Sequence, residues 1–128
     1  GLEPFAMIDG MYARAAASQA VRDMFAGADK PDAIFVGNDH MAFAVMDTLR
    51  FELGLRVPDD VSIIGYDDVP ISAWPSYNLT TIRQPVRRMV GATVGILLNQ
   101  IEGETAPNRI RIDGPLITRG SVKERTPS

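Results

Sequence analysis

The sequence predicts an α/β fold in three layers, with a mainly parallel sheet at the centre. Three observations carry that reading. Two short apolar runs, Ala33-Ile34-Phe35-Val36 and Val61-Ser62-Ile63-Ile64, each end in a polar turn, Gly37-Asn38-Asp39 and Gly65-Tyr66-Asp67-Asp68. An amphipathic helical pattern lies between them, so the order is strand, helix, strand over the length of one βαβ unit. The first run is apolar without alternation, as suits a parallel strand covered by helices on both sides.

The elements follow in order. Residues 4 to 26 read as a helix, with Ala17, Val21, Met24 and Phe25 on one stripe and high propensity from Ala13 to Ala17. Asp9-Gly10 interrupts the pattern, marking a late helix start or close packing on a neighbour. Gly27 is placed to end this helix in the left-handed conformation. Pro31 sets up entry to the first strand. Asn38 or Asp39 can cap the second helix with a side-chain oxygen. Its stripe is Ala42, Val45, Met46, Leu49 and Leu53, and Gly54 stops it. Val57-Pro58-Asp59-Asp60 is a turn into the second strand.

A loop from Val69 to Asn78 holds Pro70, Trp74 and Pro75, and Leu79-Thr80-Thr81-Ile82 is a short β run. Pro85 suits the first turn of a third helix. Val86, Met89, Val90, Val94, Leu97, Leu98 and Ile101 trace its apolar stripe to Gly103. Gly91 and Gly95 weaken this helix by roughly 1 kcal/mol each relative to Ala. Residues 102–108 read as a loop. Arg109-Ile110-Arg111-Ile112 alternates like an edge strand. Leu116-Ile117-Thr118 reads as a last short strand, and the end from Lys123 as frayed.

The bulk numbers narrow the function. At 128 residues this is one domain or a piece of one. Thirteen basic residues against 16 acidic ones argue against this segment gripping nucleic acid itself. The absence of Cys excludes disulfides, zinc-thiolate sites and thiol nucleophiles, and is compatible with a reducing cytoplasm. No run of about 18 apolar residues exists, so no membrane span is expected. The opening Gly1-Leu2-Glu3-Pro4 has no signal-peptide features. It reads as a loop before a helix, which predicts a truncated chain.

Both polar turns leave the carboxyl ends of their strands, the edge where open parallel sheets bind ligands. Asn38, Asp39, Tyr66, Asp67 and Asp68 are therefore the site candidates. A carboxylate accepts several hydrogen bonds, and an amide both donates and accepts; that suits the hydroxyls of a sugar or the edge of a base. Phe5, Tyr66 or Trp74 can cover the apolar face of a ring. Each has a plainer role open to it. Asn38 and Asp39 can be helix caps, Asp67 and Asp68 turn residues, Phe5 and Trp74 core aromatics.

Catalysis has thin support. His40 is the single His, and no GxSxG elbow accompanies it. It reads as a helix-start residue facing solvent or the mouth of a cleft. Asp67 and Asp68, joined by Asp39, can hold Mg²⁺ for phosphoryl transfer. Such sites also need a cation for the phosphate, and Lys30 lies before the first strand, at the opposite edge. No HExxH or calcium-loop pattern is present, so neither a metal nor a cofactor is expected.

Four blocks in register then carry a resemblance: PDAIF…NDxMA, GLRVPDDVSIIGYDD, LTTIRQP and LITRGS. In order and spacing they resemble the lactose-repressor/galactose-repressor family of bacterial transcription regulators. The resemblance covers nearly the whole chain. It implies a periplasmic-binding-protein-like effector domain of two Rossmann-like lobes, with effector bound in the cleft between them. It also implies an operator-binding headpiece upstream, dimerisation through the effector lobes, no membrane association and no enzyme activity. By this resemblance residues 1–84 are the second lobe, and residues 85–128 return to complete the first lobe and hinge. Asn38 and Asp67 match effector contacts, and Phe5 an aromatic position against the ligand ring. Asp39 and Asp68 match turn and cap positions; His40, Tyr66 and Trp74 remain possible further cleft residues. The stripe on the third helix loses its usual cover and is expected to find it in another copy of the chain. A periplasmic sugar-binding protein of a transporter is the alternative, since it shares the fold.

Overall fold

A computed structural model describes residues 1–105 and 109–126. Helix α1 spans Arg14–Met24, strand β1 Ala33–Phe35, and helix α2 Asp39–Asp47, continued by a π-helical turn over Thr48–Glu52. Strand β2 covers Ser62–Asp67, β3 Thr80–Arg83, helix α3 Val86–Ile101, and β4 Leu116–Ile117. The strands form one sheet in the order β1-β2-β3-β4. The first three are parallel and β4 is antiparallel to β3. This is the open, mainly parallel α/β sheet that the apolar runs predict.

The core lies on one face of that sheet. Ala17 and Val21 of α1 and its cap Phe25, with Ala42, Val45 and Met46 of α2 and Leu49 of the turn that continues it, close over Val36, Val61, Ile63 and Leu79. Both predicted helical stripes thus face the core, with Met24 and Leu53 partly buried at its edge. Side chains the size of Met46, Leu49, Ile63 and Leu79 stabilise the fold by about 1.5–3 kcal/mol each when fully buried. The outer side of α2 is also covered. Phe43 packs against Tyr77 of the loop after β2, ring centroids 4.4 Å apart. The Tyr77 hydroxyl donates to Asp47 at 3.2 Å.

The opposite face of the sheet is bare: Phe35 is 61% exposed, and Ile64, Tyr66 and Ile82 are only partly covered. The described residues supply no second layer of helices there. Helix α3 buries none of its residues, and its stripe from Val86 to Ile101 stands in solvent.

The last strand region closes the sheet from below. β3 begins at Thr80, opposite Ile64, and Ser121 takes the place beside Ile63, where β2 has no β3 partner. Its carbonyl accepts the Ile63 N–H at 2.8 Å. Its hydroxyl donates to the Ile63 carbonyl at 2.6 Å and accepts the Thr80 N–H at 2.8 Å. The LITRGS block therefore completes the middle of the sheet.

Three local expectations are corrected. The first helix begins at Arg14, not near Pro4, because Met11 and Tyr12 take left-handed backbone (φ 53° and 51°) and the Asp9 carboxylate accepts the Met11 N–H. Gly10 then packs on Met41: a Cβ there would stand 2.7 Å from the Met41 sulfur. Gly27 does not end the helix in left-handed form; α1 stops at Met24 with Phe25 as its cap, and the positive-φ glycines are Gly54 and Gly103. Arg109-Ile110-Arg111-Ile112 is not a strand, since it runs beside α3 and finds no sheet edge among the described residues. The loop expected over residues 102–108 and the expected frayed end fall partly outside the described residues.

Candidate functional site

The register of the sheet fixes the geometry of the rim. Phe35 pairs with Ile64, and the Val36 N–H donates to the Ile64 carbonyl at 2.8 Å. Asn38 lies three residues beyond Phe35, and Asp67 three beyond Ile64. Both thus leave neighbouring parallel strands at the same carboxyl edge and the same level, with strands about 4.8 Å apart.

Asn38 caps α2. Its side-chain oxygen accepts the Met41 N–H at 2.8 Å. That leaves its amide N–H₂ without a hydrogen-bond partner among the described residues, on a side chain that is half-buried. Asp67 ends β2 with φ at 134°, and Asp68 follows at 62°. Two non-glycine residues in this region cost of order 1–3 kcal/mol each and persist only where neighbours over-determine them. Here Gln84, at the end of β3, donates its side-chain N–H to one Asp67 oxygen. The second oxygen remains open. An amide donor and a carboxylate acceptor therefore sit side by side, which fits a ligand carrying both hydroxyl donors and ring or carbonyl acceptors.

Asp68 is turned the other way. It receives Arg83 at 2.7 Å and Arg119 at 2.8 Å, and its side chain is 6% exposed. Burial works to raise its carboxyl, but the hydrogen bonds and charges of Arg83 and Arg119 outweigh it and hold the group below the ordinary carboxylate range.

Asp39 is not a cleft residue. It is fully buried, and its carboxylate accepts Thr81 Oγ1–H at 2.6 Å, Ser72 Oγ–H at 2.6 Å and the Val69 N–H at 3.0 Å. The Mg²⁺ reading loses its geometry here, since Asp39 is sealed inside and Asp68 is committed to two guanidinium groups. Among the described residues no group of three or more His, Cys, Asp or Glu is placed to hold a metal ion.

The other expected residues divide. His40 is exposed at the start of α2, its ring edge against Phe43. Tyr66 lies on the bare face, beside an open hollow of about 640 Å³ between α3 and residues 109–112. Phe5, with Pro4 to Ile8, Met24 and Pro31, lines a hollow that runs along β1 from Ala33 to Phe35. Trp74 follows the 3-10 turn Pro70–Ala73 and is half-exposed, in a loop whose next residues reach α2 and its continuation through Tyr77 to Asp47 and Ser76 to Arg50.

Two candidates escaped the sequence reading. Tyr12 is 80% exposed immediately before α1. Its neighbour Arg14 donates to the His40 carbonyl at 3.2 Å, which puts the start of α1 at the same rim. Gln84 bonds Asp67 directly. An aromatic residue just before a helix start and a polar residue just after β3 were the available signals.

Comparison with known proteins adds an independent line. Residues 3–122 match the family described as periplasmic binding protein-like domain. An HTH-type transcriptional repressor PurR of Aliivibrio salmonicida is 42% identical over 117 residues, covering 91% of this chain and 35% of the relative. A probable HTH-type transcriptional repressor ExuR of Bacillus subtilis is 35% identical over 120 residues, covering 93% of this chain and 36% of the relative. The chain thus spans about a third of the length of the curated relatives it matches. Among solved structures, a lac repressor dimer bound to operator and the anti-inducer ONPF superposes with a TM-score of 0.86 at 30% identity, over 94% of this chain and 42% of that one. A regulator from Arthrobacter sp. FB24 in complex with lactose gives 0.75 at 28% identity, over 88% and 43%.

Proposed function

Because the chain belongs to the periplasmic-binding-protein-like domain family, in its lactose-repressor/galactose-repressor branch, we propose that it is the effector-sensing part of a DNA-binding transcriptional regulator. It carries no catalysis of its own. The observation behind this reading is the pairing of Asn38 and Asp67 on one sheet edge, each with an unused hydrogen-bonding group. Asn38 donates to the effector and Asp67 accepts from it. Tyr12 takes the ring-covering role expected of Phe5, and His40 borders the same mouth. The effector is a sugar or another small polar metabolite.

Residues 1–84 form the second lobe, and residues 85–128 return toward the first. Operator DNA is bound through a headpiece in the remaining part of the regulator, which works as a cytoplasmic homodimer. Among the described residues no helix is long and apolar enough to cross a membrane. An effector that prefers one arrangement of the lobes shifts the population toward it. Lobe closure then moves the dimer partners and, through the hinge, the headpieces. The periplasmic-transport alternative has less support, because the curated relatives are named as transcriptional repressors.

The test is a thermal-shift screen of sugars and nucleobases on the full-length protein, followed by calorimetry on Asp67→Ala. Loss of a charged hydrogen bond should cost about 2–3 kcal/mol of effector affinity. Unchanged affinity removes Asp67 from the site.

A further inference from the structure

We propose that Asp39 is the positioning residue of the effector site: its buried carboxylate fixes where Asp67 stands relative to Asn38. The proposal rests on the reading of Asn38 and Asp67 as the effector contacts. Asp39 follows Asn38 in the chain, at the first position of α2. Its three donors come from far along the sequence. Val69 and Ser72 belong to the loop leaving Asp67-Asp68, and Thr81 belongs to β3, whose far end carries Gln84. One side chain thus ties together the three segments that furnish the site.

The sheet is cut away to admit this carboxylate. Gly65, two residues before Asp67, has no room for a Cβ: the added atom would stand 2.4 Å from Asp39 Oδ1. A buried charge is a poor device for stability alone, since well-packed apolar replacements are often neutral or better. Among the described residues Asp39 has no salt-bridge partner to offset its burial. What the carboxylate supplies, and an apolar side chain cannot, is directional contact with three separate donors.

The strained backbone shows why position is at stake. Asp67 and Asp68 both hold positive φ, and such a pair survives only when fixed on both sides. Upstream, the β2–β3 ladder fixes it, with Gly65 opposite Thr81 and Asp67 opposite Arg83. Downstream, Asp39 holds the N–H of Val69, the next residue after Asp68. Releasing Val69 lets the strained pair relax and swings the Asp67 carboxylate away from Asn38.

The experiment is two-dimensional NMR of the isotope-labelled 128-residue chain. It follows the side-chain amides of Asn38 and Gln84 and the backbone amide of Asp67. Asp39→Asn and Thr81→Val should both shift these three signals, and Thr81→Ser, which restores the hydroxyl, should return them. Ser121→Ala, which removes another buried hydroxyl, one bonded to the Thr80 N–H and the Ile63 carbonyl and not to Asp39, should lower the melting temperature without moving them. The proposal is overturned if Asp39→Asn and Thr81→Val lower the melting temperature yet leave the three signals in place. It is equally overturned if Thr81→Ser displaces them as far as Thr81→Val. Should Asp39→Asn fail to fold, Thr81→Val, which loses one bond of the three, still gives the reading. No ligand is used, so a failure of the Asp67→Ala calorimetry is a separate result.

Discussion

Gly65→Ala adds one methyl group at the most crowded point of the interior. The backbone at Gly65 is not in the left-handed region, so Ala carries no conformational penalty there. Replacing Gly in a strand should by itself stabilise by roughly 0.5–1 kcal/mol. The contacts reverse that sign. The new Cβ would lie 2.4 Å from Asp39 Oδ1 and 2.9 Å from Leu79 Cδ2, and both neighbours are fully buried. The carboxylate must retreat from its 2.6 Å bond with Thr81. A lost hydrogen bond to a charged group costs about 1.5–3 kcal/mol. Overpacking adds about 1–3 kcal/mol. Less the strand gain, they amount to roughly 2–5 kcal/mol, a large share of the roughly 5–15 kcal/mol available to a domain. Urea denaturation of the single variants and of the Asp39→Ala, Gly65→Ala double variant measures this. With the carboxylate removed, the methyl group has space, and the added cost should drop to about 1 kcal/mol. An equal cost in both backgrounds, or a single-variant cost below about 1 kcal/mol, refutes the argument.

Ser121→Ala strips a hydroxyl that serves both the Thr80 N–H and the Ile63 carbonyl; leaving both buried groups unpaired should cost about 2–4 kcal/mol by chemical denaturation. Asp68 is held low in the folded chain, so its contribution is complete above the unfolded carboxylate value of about 3.9 and is lost as pH falls through the folded one. The stability gap between the natural chain and Asp68→Asn should therefore be flat near neutrality and narrow below about pH 4; a gap that widens on acidification contradicts this. The exposed stripe of α3 should drive association of the isolated chain, detected by light scattering, and Val90→Glu with Val94→Glu should return it to monomer. A stable monomer of the natural chain at high concentration rules that out.

Much of the fold was legible because its signals are local. Periodicity in α1 and α2 named the buried faces, and turn residues after two apolar runs named the carboxyl edge of the sheet. That logic gave Asn38 and Asp67 among five candidates, and the family resemblance singled them out. The role of Asp39 was hidden because its partners lie 30 to 42 residues away and nothing nearby distinguishes a cap from a buried hub. The start of the first helix was misjudged because propensity from Ala13 onward says nothing about left-handed backbone at Met11 and Tyr12. With residues 4–13 read as helical, the course of Pro4 to Ile8 beside β1 was not legible either. Arg109 to Ile112 alternates as a strand should, yet alternation without an available edge makes no ladder. Three layers were expected, and among the described residues helices cover one face of the sheet only.

Ser121 acts as a keystone, and that has a consequence for synthesis. Ile63 is translated 58 residues before the serine that occupies both its backbone groups. Until Ser121 leaves the ribosome, the joint between two central strands stays open. A message truncated shortly after the codon for Ile117 would yield a product with that seam unsealed, an easy substrate for quality-control proteases.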